Sequence, residues 1–94
     1  MANSKTKKDE LIPPPPASDV ADDIRDFLGR KGISAWVIPW QDFYEVVERV
    51  RIRNDFRTEL ETELSKRSIL ISYGQAVVMI GKDYASHDLL HKWD

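Results

Sequence analysis

Two β-favouring runs, Ser68-Ile69-Leu70-Ile71-Ser72 and Gln75-Ala76-Val77-Val78-Met79-Ile80, are separated only by Tyr73-Gly74. So short a gap joins adjacent antiparallel strands, and the spacing therefore predicts a tight hairpin with Gly74 in its turn and Gly81 ending its second strand. A chain of 94 residues has room for one modest core of two packed layers. The apolar side of the hairpin must be covered by segments that precede it.

Those segments carry helical spacing. Val20, Ala21, Ile24, Phe27 and Leu28 recur at three and four residues, and Ser18 or Asp19 can cap the helix they imply. Asp19, Asp22 and Asp23 lie toward its positive end, Arg30 and Lys31 toward its negative one, and Gly29 and Gly32 supply helix-ending positions. Ile33 to Ile38 is dominated by β-branched and aromatic residues and reads as a short strand stopped by Pro39. Pro39 suits the first turn of a second helix from about Trp40, with Phe43, Val46, Val47 and Val50 facing inward. Asn54 and Asp55 are both good caps, and Phe56, Leu60 and Leu64 restart an apolar stripe, which predicts a break and a third helix from about Asp55 to Lys66. Leu89, Leu90 and Trp93 suggest a short final helix within Tyr84 to Trp93. The expected core comprises Ile24, Phe27, Leu28, Val47, Val50, Phe56, Leu60, Leu64, Ile69, Ile71, Val77 and Met79.

Residues 1–16 combine a charged start with Pro13-Pro14-Pro15-Pro16, whose rings fix φ and remove backbone donors, so they read as a flexible Pro-rich tail before a single α+β domain over 17–94. The proline run serves either as a stiff spacer or as a ligand for an aromatic-lined groove. Cysteine is absent, which excludes disulfides, Cys-rich metal sites and thiol nucleophiles and leaves packing alone to hold the core. Fourteen Lys and Arg stand against sixteen Asp and Glu, so the chain is not globally basic, although a local basic patch remains open to it. No apolar run approaches the roughly 18 residues that span a bilayer, and none follows the charged start, which predicts a cytoplasmic protein without a membrane partner.

The order helix, strand, helix, helix, hairpin over residues 17–81 resembles a winged helix-turn-helix domain. The expected fold is thus α+β, a small winged-helix-like domain of three or four helices with a short antiparallel β-hairpin sheet. The resemblance implies that the third helix enters a groove of double-stranded DNA and that the hairpin forms the wing, although winged-helix domains that bind proteins also exist. Arg49, Arg51, Arg53 and Arg57 then surround the turn into that helix with only Asp55 opposing them, a pattern suited to backbone phosphates. Arg57, Thr58, Glu61 and Thr62 would approach base edges, and Lys66 and Arg67 would extend the patch toward the hairpin. Glu59, Glu61 and Glu63 crowd the same helix and would repel phosphate, and an ordinary solvated face of mixed charge is the reading these residues favour.

The aromatic residues offer a second use. Trp36 and Trp40 bracket Pro39, with Phe43 and Tyr44 just beyond, so Trp36, Trp40 and Tyr44 are candidate anchors of a protein-binding adaptor or inhibitor that also uses the Pro-rich tail; the alternative is that these rings serve the core. A second copy of the chain, as a homodimer, is one such partner. Asp83, His87 and His91 fall at i, i+4 and i+8, but two histidines without a fourth ligand nearby make no metal site. No nucleophile and base are fixed by spacing, and no Gly-rich loop cradles a phosphate, so neither an enzyme nor a cofactor is expected.

Overall fold

The computed structural model describes residues 13–83. The first helix, α1, spans Ala17–Lys31. Its N-cap is Pro16, in extended conformation, whose carbonyl accepts from the amides of Asp19 and Val20 at 3.0 and 3.1 Å. Neither Ser18 nor Asp19 is the cap, because proline needs no amide partner where a helix begins and so lets it start earlier. The helix also runs through Gly29 and stops at Gly32, whose φ of 64° lies in the left-handed region that glycine enters without strain. There the amides of Gly32 and Ile33 reach back to the carbonyls of Gly29 and Leu28.

Strand β1 covers Ala35–Pro39 and passes directly into α2, Trp40–Val46. This helix ends because Glu48 adopts a left-handed φ of 55° and the amide of Arg49 closes onto the carbonyl of Tyr44 at 3.1 Å. The turn removes Val50 from the helix, and its side chain is 96% exposed rather than in the core. After the connection Val47–Arg53, α3 spans Asn54–Ser65 and buries Phe56, Leu60 and Leu64, the stripe its spacing predicts. The break expected between the second and third helices is therefore present.

Ser68, at a φ of 59°, turns the chain into β2, Ile69–Tyr73, which a short turn connects to β3, Val77–Lys82. In that turn the Gly74 amide donates to the Val77 carbonyl at 2.9 Å, and a Cβ on Gly74 would sit only 2.9 Å from that same oxygen. The sheet order is β1-β3-β2, antiparallel throughout, so the last strand lies in the middle. Gly81 does not end β3; it lies within it, opposite Ala35 on one side and Leu70 on the other.

One core cluster joins α1, α3 and the inner face of the sheet, with Phe43 of α2 and Val47 just beyond it closing one side. Ile24, Leu28, Val47, Phe56, Leu60, Leu64, Ile69 and Ile71 are buried as expected, while Phe27 is half-buried beside the cluster. Val77 and Met79 are not core residues: strand side chains alternate, Val78 and Ile80 take the inner side, and Met79 is left 54% exposed with Val77 half-buried. The result is a small α+β domain with three helices and a three-stranded antiparallel sheet among the described residues. The final helix expected near Tyr84 to Trp93 and the tail through Leu11-Ile12 lie outside them. No helix of the described residues is long and apolar enough to cross a membrane.

Candidate nucleic-acid and partner surfaces

The arginines gathered by sequence around α3 have three different fates, decided by what packs beside them. Arg49 follows the left-handed Glu48, which turns it back over the domain. Its guanidinium lies 3.6 Å from the centre of the Phe56 ring, and Nη1 donates to the Pro15 carbonyl at 2.8 Å. Burial pulls its pKa down, against the charges of Glu59 and Asp55. Arg49 is thus a clasp between the Pro run and α3.

Arg57 stands in the first turns of α3 on the side facing the sheet. Its guanidinium lies 5.0 Å from the Trp40 ring and 5.2 Å from the Tyr73 ring, two rings that themselves stack at 5.9 Å. The Tyr73 hydroxyl donates to the Arg57 carbonyl at 3.3 Å, and Trp40 Nε1 donates to the Gly74 carbonyl at 2.7 Å. Buried Arg57 Nε has no hydrogen-bond partner among the described residues. Burial raises the Tyr73 phenol to about 12, helped by Glu61 and opposed by Arg57. Together these contacts tie α2, α3 and the hairpin turn to one another.

Arg67, just beyond α3, is the third. Its side chain is 17% exposed and bridges α3 to α1: Nε donates to Asp22 at 2.8 Å, and Nη1 to the Glu63 carbonyl at 2.6 Å and its carboxylate at 3.1 Å. Lys66 occupies the other Glu63 oxygen at 3.0 Å. Hydrogen bonds from Lys66 first and Arg67 second hold the Glu63 carboxyl below its ordinary range.

Arg51 and Arg53 remain. Both are exposed, on the connection that leads into α3, and neither side chain has a partner among the described residues, the Arg53 carbonyl accepting only from the Arg57 amide. On α3 itself Asn54, Thr58, Thr62 and Ser65 are exposed, with the Thr58 hydroxyl donating to the Asn54 carbonyl at 3.0 Å. Thr58 and Thr62 also line a shallow cleft between α3 and the start of α1, alongside Glu59, Glu63 and Pro16. The side of α3 away from the core is therefore polar, with cations at its N-terminal approach and carboxylates at Asp55, Glu59 and Glu61.

Of the aromatic candidates, Trp36 is half-buried and stacks on Phe27 at 4.1 Å, while Trp40 is held as described above. Tyr44 is exposed, 6.2 Å from Trp40. Pro13 and Pro14 are exposed as well. Asp83 is described and exposed, but His87 and His91 lie outside the described residues; within those residues no group of three or more His, Cys, Asp or Glu is placed to hold a metal ion.

Sequence reading missed the outer face of the sheet. Val37, Leu70 and Met79 are each more than half exposed there. The signal was available in the alternation of β3, where assigning Val78 and Ile80 to the core forces Met79 outward. Compared with models of protein families, with curated proteins and with solved structures, the chain matches none.

Proposed function

We propose that this domain is a non-catalytic regulatory module of winged-helix type that binds double-stranded DNA, with Arg51 and Arg53 on backbone phosphates and the outer side of α3 toward a groove. The observation that carries the reading is the connection Val47–Arg53, which separates α2 from α3 and delivers two unpartnered arginines, among the described residues, to the N-terminal end of α3. Backbone amides at that end add positive potential where a phosphate would sit. The sheet order, with the hairpin after the third helix and its last strand between the other two, suits a wing beside that helix. Asn54, Thr58 and Thr62 supply neutral hydrogen-bonding groups for base edges.

Arg49, Arg57 and Arg67 contribute to this function only through folding, since their guanidinium groups are engaged within the domain. Glu59 and Glu61 restrict the approach of further phosphates, so each copy neutralises about two of them and log affinity falls against log salt with a slope near −2. Between 50 and 200 mM salt this amounts to roughly a tenfold loss. A duplex titration at two salt concentrations tests the reading: Arg51→Ala with Arg53→Ala should flatten the slope, and absence of binding by the unaltered chain at low salt would remove it.

A second reading, an adaptor or inhibitor that binds a protein, is favoured by the exposure of Tyr44 beside Trp40 and of Pro13 and Pro14. Tyr44→Ala would then weaken capture of the partner without changing the melting temperature. Trp40 is a poorer probe, because its removal also opens the Arg57 and Tyr73 contacts.

A further inference from the structure

The connection between α2 and α3 carries both arginines assigned to phosphate, yet its own backbone does little to hold them. Val47, Glu48 and Arg49 donate their amides to the carbonyls of Phe43, Glu45 and Tyr44. Beyond them, among the described residues, no amide over 50–53 donates to a backbone carbonyl. Val50 is almost wholly exposed and Ile52 packs only partly against the core, so side chains pin this stretch at two points, Arg49 and Ile52.

The grip of Arg49 is specific. Its guanidinium sits over the Phe56 ring, and Asp55 and Glu59 are near enough for their charges to act on it. It pairs with neither carboxylate among the described residues; its hydrogen bond goes to the neutral Pro15 carbonyl at 2.8 Å. That carbonyl is a fixed target. A proline run makes no internal hydrogen bonds, which leaves its carbonyls available, and the rings of Pro15 and Pro16 fix φ where the Pro16 carbonyl caps α1.

We propose that the proline run 13–16 is a positioning element of the binding surface: its Pro15 carbonyl holds Arg49, and Arg49 holds the following stretch so that Arg51 stands ready for a phosphate. Pro15 and Arg49 touch no nucleic acid in this arrangement. They raise affinity by removing disorder that binding would otherwise have to remove. Arg53, the N-cap of α3, is placed by the helix instead. The inference rests on the DNA reading for what Arg51 binds, while the hold itself is a property of the free chain.

Relaxation of the ¹⁵N-labelled full chain tests the hold, and duplex titration at two salt concentrations tests its use. Pro14→Gly with Pro15→Gly loosens the run and leaves every charge in place, whereas Arg49→Met keeps an apolar stem for Phe56 and removes the donor. In the unaltered chain the heteronuclear NOE at the Val50 and Arg51 amides should approach that of α3. In both variants it should drop at those two amides, with Arg53 and α3 unchanged. Duplex affinity of the proline variant should fall about fivefold or more, the cost of ordering roughly one further residue on binding. Its salt slope should stay as it was, because both phosphate-binding arginines remain. Failure of the unaltered chain to bind a duplex removes the DNA reading and this use of the hold with it. Val50 and Arg51 amides as mobile in the unaltered chain as in the variants overturn the inference alone, and so does a loosened connection with unchanged duplex affinity.

Discussion

Arg67 looks like a phosphate contact in the sequence and is a structural tie in the fold, and the two roles respond differently to Arg67→Ala. The side chain makes charge-assisted bonds to Asp22 on α1 and Glu63 on α3, a further bond to the Glu63 carbonyl, and a longer one to the Ser18 carbonyl of α1 at 3.4 Å. Asp22 and the Glu63 carboxylate retain access to solvent and are rehydrated when the guanidinium is removed, which limits the loss to about 2 kcal/mol rather than the sum of the bonds. For a domain of this size that corresponds to a melting temperature lower by about 8–16 °C. Calorimetric or circular dichroism melts at neutral pH read this directly. The Glu63 carboxyl is depressed in the folded state, so its share of the stability is complete above about pH 4.5 and is lost as pH falls through the folded value. Repeating the melts through the acid range should therefore narrow the gap between the two proteins. A change under 2 °C at neutral pH, with DNA affinity collapsing instead, would refute the tie and return Arg67 to the binding surface.

Two other perturbations follow from local geometry. With the Tyr73 phenol raised to about 12, the unfolded chain loses that proton from pH 10 upward while the folded one keeps it; stability should fall between those values by on the order of 2 kcal/mol, and a late phenolate absorbance step should vanish in Tyr73→Phe. Gly32→Ala meets open space but must hold a φ of 64°, so thermal melts should show a loss of about 1 kcal/mol from backbone strain alone, and an unchanged melt would contradict the left-handed cap.

The elements were legible wherever a local pattern had only one reading. Phe56, Leu60 and Leu64 announced α3, and the gap at Tyr73-Gly74 announced the hairpin. Termini were less legible, since Pro16 rather than a side chain starts α1, and Glu48 ends α2 in a conformation that nothing in its residue type demands. Val50 was misplaced for that reason: helical spacing carries it inward only if the helix continues. Met79 was misplaced because a run of apolar residues conceals which parity faces the helices until the sheet is assembled. Among the candidate contacts, proximity in sequence could not separate Arg51 and Arg53 from Arg49, Arg57 and Arg67. Their partners, Pro15, Trp40, Tyr73 and Asp22, come from distant parts of the chain, so the distinction exists only in three dimensions.

The most direct test of the central claim is amide chemical-shift mapping of the ¹⁵N-labelled chain titrated with a short duplex at low salt. Shifts should concentrate at Arg51, Arg53, Asn54, Thr58 and Thr62, with Val37, Leu70 and Met79 unmoved. Shifts confined to the outer sheet face, or none at any residue, would contradict it.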